Sequence, residues 1–349
     1  MGRHPKDCNC ENCKKDNKEE IKQPIQSEQN KDFEHLMKEY ENKYNAKPAS
    51  KIVILPKIRT GIYALDYVLS GGIAQCEGGH KIEFHGRESS GKTTMALKVI
   101  SKYQELNKTC VFINAENSYD PQWAEINGVN NEKLLVLKPD TLEQAGDILI
   151  DLIPKVDLIV IDSIIALIPA EELEGSLEDK HMASSAKINA PLCRRINQTY
   201  KDFKTTIIFI NQIREKVGIM YGNPETTSGG RALRHLYDTT VEIKTGKSIE
   251  ISVEGLDKKE RIGNETILIN KKNKKGVPFR QTIVDFYLTG ILDNRKSLLY
   301  AGIKFGIIKL MGNTYSYKDI KAVGKDKFGE LLTDKMLKEI EDDIWKSQP

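Results

Sequence analysis

Gly86-Arg87-Glu88-Ser89-Ser90-Gly91-Lys92-Thr93 fits the pattern G-x-x-x-x-G-K-[ST] of a phosphate-binding loop. Before it, Lys81-Ile82-Glu83-Phe84-His85 alternates as a strand does; after it, Thr94-Met95-Ala96-Leu97-Lys98-Val99-Ile100 reads as a helix. Glycines let the backbone close around a polyphosphate, and successive N–H groups at a helix N-terminus form an anion nest. Lys92 adds a mobile positive charge for the β- and γ-phosphates, and the Thr93 hydroxyl suits Mg2+. The plain alternative is a Gly/Ser-rich turn that binds nothing. The complete motif between a strand and a helix argues against it.

Working outward, residues 60–245 alternate strand with helix. Strands are expected at Lys81–His85, Thr109–Asn114, Leu134–Leu137, Asp157–Ile161 and Thr205–Ile210. Helices are expected at Thr93–Leu106, Thr141–Leu152 and Ala183–Lys201. This alternation predicts an α/β fold, a mostly parallel central sheet with helices on both faces. Leu158-Ile159-Val160-Ile161 and Ile207-Ile208-Phe209-Ile210 are apolar throughout, as strands buried on both sides are. Beyond residue 238 the pattern becomes Thr239–Ile243, Thr266–Asn270 and Gln281–Phe286, strands expected to extend the sheet in antiparallel fashion. Lys244-Thr245-Gly246-Lys247 is read as a hairpin turn and Lys275-Gly276 as a second turn.

Four regions follow. Residues 1–30 are polar and read as a flexible, Cys-containing tail. Residues 31–59 carry a helix with Phe33, Leu36, Met37, Tyr40 and Tyr44 on one stripe, then a linker at Pro48-Ala49-Ser50. The stripe is covered either by its own domain or by another subunit. Residues 60–288 form the core. Residues 289–349 form a small α+β C-terminal domain whose final helix is expected to carry Leu331, Leu332, Met336, Leu337, Ile340 and Ile344.

Of the 349 residues, 39% are hydrophobic and 30% charged, and the net charge is +3. That balance gives no bulk signal for nucleic acid, so any such site must be local. Met1-Gly2-Arg3-His4-Pro5 leads into polar sequence, and no apolar run has the length of a bilayer span; the expectation is a cytoplasmic protein. Six cysteines are present. Cys8, Cys10 and Cys13, with His4 upstream, supply enough ligands for zinc. Their spacing is not that of a standard knuckle, and reduced thiols in a polar tail are the favoured reading.

Leu158-Ile159-Val160-Ile161-Asp162 places an acid at the end of a buried strand, where it can hold the Mg2+ shell. Cys110-Val111-Phe112-Ile113-Asn114-Ala115-Glu116 ends in Glu116, a candidate to activate the attacking water, or otherwise a helix-capping carboxylate. Gln212 follows Phe209-Ile210-Asn211. An amide there can touch a γ-phosphate at the root of the loop Ile213–Gly230, the arrangement of a nucleotide-state switch. A loop of that length in a compact domain is usually functional.

With these residues in place, the chain resembles the RecA family of bacterial recombinases. The blocks that carry the resemblance are Glu88-Ser89-Ser90-Gly91-Lys92-Thr93-Thr94, Phe209-Ile210-Asn211-Gln212-Ile213-Arg214 and Tyr221-Gly222-Asn223-Pro224-Glu225-Thr226-Thr227. Asp120-Pro121, His181-Met182 and Tyr315-Ser316-Tyr317 add to them. The resemblance runs from about Thr60 to the C-terminus, in order. It implies an ATP- and Mg2+-using, single-stranded-DNA-dependent ATPase that forms a helical filament of its own copies on DNA. Such a filament pairs the bound strand with a homologous duplex and exchanges strands, in recombination and repair.

By resemblance, Glu116 is the catalytic glutamate, Gln212 the γ-phosphate sensor, and Gly86 to Thr94 the phosphate site with Thr93 and Asp162 at the metal. Asp120 and Trp123 match positions that contact adenine, and Tyr287 is a further candidate for the base pocket, with an alignment that shifts by one. Glu171–Met182 matches a first DNA-binding loop and Ile213–Gly230 a second. Met182, Arg194, Arg214, Thr226, Ser228, Gly229 and Gly230 fall on DNA-contacting positions. Lys272 and Lys274, within Lys271-Lys272-Asn273-Lys274-Lys275, match lysines that reach the neighbouring subunit's ATP; a solvated charge cluster is the plain reading of that run. Asn114 stands where the family usually has Asp, and Arg87 where it has Pro. Residues 1–30 have no counterpart, and the subunit-docking strand is placed only loosely, at Lys51-Ile52-Val53-Ile54-Leu55. These departures mark a divergent member. The alternatives are a ring helicase or motor on the same fold, and a nucleotide-gated DNA scaffold without turnover.

Overall fold

The computed structural model describes residues 28–44, 46–52, 55–163, 165–174, 184–215, 225–227, 230–252 and 259–347. The chain divides into two compact units, residues 1–53 and 54–349. In the first, α1 (Glu28–Tyr44) leaves Phe33, Leu36, Tyr40 and Tyr44 exposed. The Tyr40 and Tyr44 rings, one turn apart, lie 5.3 Å from each other. A short 3-10 turn, Ala49–Lys51, occupies the expected linker.

The second unit begins with β1 (Leu55–Ile58), antiparallel to β2 (Ile73–Gln75), with α2 (Tyr63–Val68) between them. Then β3 (His80–Gly86) enters the phosphate loop and α3 (Lys92–Glu105) leaves it. The alternation continues through β4 (Cys110–Asn114), α4 (Pro121–Ile126), β5 (Leu134–Leu137), α5 (Leu142–Leu152) and β6 (Leu158–Asp162). After α6 (Ala170–Glu174) and α7 (Ser184–Thr199) come β7 (Thr206–Glu215), β8 (Glu225–Thr227) and α8 (Gly230–Leu236). Three antiparallel strands follow, β9 (Thr239–Ser252), β10 (Lys259–Asn273) and β11 (Gln281–Tyr287), and β12 (Leu292–Asp293) closes that edge.

The sheet order is β12-β11-β10-β9-β3-β7-β6-β4-β5, parallel from β9 to β5. Alternate residues of each parallel strand feed opposite faces. Ile82, Phe84, Phe112, Val160 and Ile208 pack with α3, whereas Val111, Ile113, Ile159, Ile161 and Phe209 pack with α5, α7 and α8. Full burial of each such side chain is worth about 1.5–3 kcal/mol. The C-terminal elements are α9 (Arg295–Lys304), a hairpin sheet β13 (Lys309–Met311), β14 (Thr314–Tyr317) and β15 (Ile320–Val323), then α10 (Lys325–Leu331) and α11 (Asp334–Ser347). Their Leu298, Leu299, Phe328, Ile340 and Ile344 join the apolar cluster that holds α2 and Val284.

Three expectations need correction. No chain reversal occurs at Lys244–Lys247. Lys244 and Thr245 pair with Ile267 and Thr266, and β9 runs on to Ser252, which pairs with Lys259. Gly246 sits at an irregularity of the ladder, where a Cβ would lie 3.0 Å from the Glu265 Cβ; a glycine in a strand marks a bulge or a close approach as readily as a turn. Leu331 and Leu332 are not on the final helix. α10 ends at Leu331, and Thr333 starts α11, its Oγ1 accepting from Met336 N at 3.4 Å. Leu55 belongs to β1 and pairs with β2 in its own unit; residues 53 and 54 lie outside the described residues.

Asp66, in α2, fixes the entry to this unit. Its Oδ1 accepts from the Thr60 N and Oγ1 at 2.8 and 2.9 Å, while its Oδ2 is buried without a partner. Burial pushes its carboxyl up to about 7, against the Thr60 hydrogen bonds that favour the charge. The folded chain therefore keeps a proton that the unfolded chain releases near pH 4, and stability falls as pH rises from about 4 to about 7. Asp66→Asn keeps an acceptor for Thr60 without a charge. Its melting temperature is expected to drop less between pH 5 and pH 8 than that of the wild type; an equal drop contradicts the assignment.

Candidate active site

The phosphate loop closes tightly for physical reasons visible at two glycines. A Cβ on Gly86 would lie 2.2 Å from the Ile243 carbonyl oxygen. Gly91 has φ +90° and a ring edge of Phe286 3.5 Å from its missing Cβ, a conformation that glycine adopts without strain. Lys92, almost buried, donates to the Gly86 and Arg87 carbonyls at 3.1 and 2.7 Å. Burial lowers its ammonium pKa, while Asp162, Glu116 and Glu88 hold the charge. Ser90 Oγ is buried with no hydrogen-bond partner, and Glu88 and Ser89 are exposed. A lysine resting on loop carbonyls and an orphan hydroxyl are a donor set that an anionic phosphate satisfies.

At the sheet's C-terminal edge β3 and β7 pair Gly86 with Gln212, and β4 and β6 pair Asn114 with Asp162. Thr93 Oγ1 donates to Asp162 Oδ2 at 2.8 Å. These two oxygens, on the loop and on β6, fit a Mg2+ site. Burial pushes the Asp162 carboxyl up to about 6, opposed by the Thr93 hydrogen bond and helped by the Glu116 charge. The Ala115 and Glu116 N–H groups both donate to the Asp162 carbonyl, at 2.8 and 3.0 Å, which places Glu116 beside the acid. Glu116 Oε1 accepts from Ser163 Oγ at 2.7 Å and from Gln212 Nε2 at 3.3 Å. Asn114, where the family usually has Asp, is buried and accepts Ser118 N on Oδ1 at 2.9 Å; an amide oxygen does this as a carboxylate would.

Other expected residues are distributed as follows. Asp120 caps α4, taking the N–H groups of Gln122 and Trp123 on Oδ1. Trp123 Nε1 donates to Thr94 Oγ1 at 3.2 Å, laying the indole against the first turn of α3. Tyr287 lines a cavity with Asp285, Asp293, Arg295 and Lys296, and the ring beside the phosphate loop is that of Phe286. Arg87 lines a cavity of about 300 Å3 with Ile213, Ile243, Lys244 and Thr245. Arg194 is exposed on α7. Arg214 pairs with Thr226 between β7 and β8, and Gly230, with φ +79°, opens α8. Met182, Ser228 and Gly229 lie outside the described residues, as do His4, Cys8, Cys10 and Cys13. Among the described residues no group of three or more His, Cys, Asp or Glu is gathered for a metal, and no helix is long and apolar enough to cross a membrane.

Lys272 Nζ donates to the Arg234 carbonyl at 2.7 Å, and Lys274 Nζ to the His235 carbonyl at 3.3 Å. They are thus gathered at the end of α8, not at their own subunit's phosphate loop. Sequence reasoning missed Ser163 and Phe286. Ser163 follows Asp162 directly, and its only signal was that adjacency.

Residues 33–292 match the family described as the RecA N-terminal domain. The proteins named Protein RecA from Francisella tularensis subsp. novicida strain U112 and subsp. tularensis strain SCHU S4 are each 41% identical to this chain over 278 residues, covering 79% of it and 75% of the relative.

Proposed function

The chain belongs to the RecA family of DNA-dependent, phosphate-loop ATPases that act in recombination and repair, and we propose that it hydrolyses ATP at Gly86–Thr94 with Glu116 activating water and Gln212 reporting the γ-phosphate. One observation carries this reading: the carboxylate oxygen of Glu116 takes both the Ser163 hydroxyl and the Gln212 amide. Gln212 lies in β7, three residues before that strand ends at Glu215 on its way into the second DNA loop. A γ-phosphate that draws the amide away from Glu116 would free the carboxylate for water and shift the loop in one movement.

Thr93 and Asp162 would hold Mg2+, which when bound neutralises charge on the β- and γ-phosphates. Lys92 would move from its loop carbonyls to the same oxygens. Trp123, with Asp120 capping its helix, would offer an aromatic face to the base; Phe286, whose ring lies beside Gly91, would close the site on the β11 side, and Tyr287 is the second candidate there. Arg194, Arg214, Thr226, Ser228, Gly229, Gly230 and Met182 would bind single-stranded DNA, and a homologous duplex would pair with it. The exposed stripe on α1 would dock on a second copy, so that copies assemble in a helical filament. Lys272 and Lys274 would complete the next subunit's site. Residues 60–288 would be the ATPase core, with 289–349 as a C-terminal domain joined to it.

Single-stranded DNA is expected to raise the wild-type hydrolysis rate. In Gln212→Ala the ratio of rates with and without DNA is expected to fall to about one, because the link between phosphate and loop is cut. A ratio equal to the wild type's removes Gln212 from the switch.

A further inference from the structure

We infer that Asp238 and the last turn of α8 form a dock, on this chain's own surface, for the two lysines Lys272 and Lys274, in competition with the ATP of the neighbouring subunit. This rests on the reading of those lysines as groups that act across the subunit boundary, and makes Asp238 a positioning residue for the shared site.

The dock is built from oxygens that need donors. α8 ends at Leu236, so the Arg234 and His235 carbonyls are among those a helix leaves without an internal partner. Lys272 takes the first at 2.7 Å and Lys274 the second at 3.3 Å. Lys274 Nζ also lies 3.8 Å from Asp238 Oδ1. The Asp238 carboxylate cannot follow a departing lysine. Its Oδ2 is held by the Lys81 N–H at 3.1 Å and by the Lys81 ammonium at 3.1 Å, and its own N–H donates to the Lys81 carbonyl. The Lys274 N–H in turn donates to the Asp238 carbonyl at 2.8 Å. The backbone of Lys274 is therefore tied to the dock, and only its side chain is free to swing.

The lysines are held weakly enough to leave. The Lys274 side chain is 51% exposed. Burial lowers the Lys272 pKa, with the Lys274 charge adding to the effect and Asp238 opposing it. Two like charges collected on neutral carbonyls and one shared carboxylate would exchange readily for a triphosphate, which carries more negative charge. A competing intramolecular partner weakens the apparent engagement by the fraction of lysine it holds. The dock also has a mechanical reach: α8 begins at Gly230, where the second DNA loop ends, so withdrawing the lysines uncaps the helix attached to that loop.

The test measures DNA-stimulated ATP hydrolysis against protein concentration. Asp238→Asn is combined with Lys81→Met, so that no ammonium is left buried and unpaired. The concentration at half-maximal rate is expected to fall about three- to fivefold, the scale of an exposed ion pair, with the plateau rate per subunit unchanged. A midpoint that stays in place or rises overturns the dock. Should the double variant fail to fold, Asp238→Asn alone, whose single amide oxygen still accepts from Lys81 at the place of Oδ2, carries the same expectation. The joint change Lys272→Ala and Lys274→Ala separates the two readings. If the lysines do not act across the boundary, its plateau equals the wild type's; if they do and the dock is wrong, that plateau collapses while the Asp238 midpoint does not move.

Discussion

Glu116→Gln is expected to lower DNA-stimulated ATP turnover by about 10²–10⁴-fold, the usual worth of a positioned general base. The amide still accepts the Ser163 hydrogen bond on its oxygen, so the side chain keeps its place at the end of β4. It cannot take a proton from water. Glu116 is exposed, so stability is expected to change by less than about 0.5 kcal/mol. By the proposed assignment ATP binding would rest on Lys92, Thr93 and the loop, and Glu116 Oε1 meets only Ser163 and Gln212 among the described residues. Single-turnover hydrolysis and equilibrium nucleotide binding, measured together, check this. Turnover within twofold of the wild type removes Glu116 from the chemistry, and loss of binding with it makes Glu116 a structural residue.

The joint substitution Lys272→Ala and Lys274→Ala is expected to cost about 10³-fold or more in turnover, as loss of a cation supplied in trans to a phosphoryl group does. The two ammonium groups rest on the end of α8, away from their own subunit's phosphate loop. Their removal should therefore leave nucleotide binding to an isolated subunit untouched and act only where subunits meet. Turnover at saturating protein and DNA, compared with binding to dilute protein, separates these. Equal loss of both would place the lysines in their own subunit's site instead.

Much of this site was legible because its parts are local. The phosphate loop is eight consecutive residues, Asp162 ends the apolar strand β6 and Glu116 lies two residues past the apolar strand β4, each readable by itself. The sheet's parallel half was legible for the same reason: Leu158–Ile161 and Ile207–Ile210 are apolar on both faces. The antiparallel half was legible in its three strands and their direction but not in where the chain reverses. Gly246 gives the same signal in a bulge as in a turn, and only the pairing of Thr245 with Thr266 decides between them. At the base site the structure puts the Phe286 ring beside Gly91, with Tyr287 one residue on and on the opposite face of β11, and a one-residue register on a strand has no local signal. Leu331 and Leu332 kept helical spacing across a break that Thr333 makes by capping α11. The resting place of Lys272 and Lys274 had no local signal, because Arg234 and His235 lie 38 and 39 residues away in the chain.

If one catalytic site is built from two subunits, two variants that each lack one half of it restore it when mixed. Glu116→Gln protein and Lys272→Ala/Lys274→Ala protein are combined in equal amounts on single-stranded DNA, and ATP hydrolysis is measured. In a randomly mixed filament about one quarter of the boundaries join an intact Glu116 to intact lysines from the neighbour. The mixture is therefore expected to recover about one quarter of the wild-type rate, from two proteins nearly inactive alone. A mixture no faster than the average of the two variants would contradict the shared site.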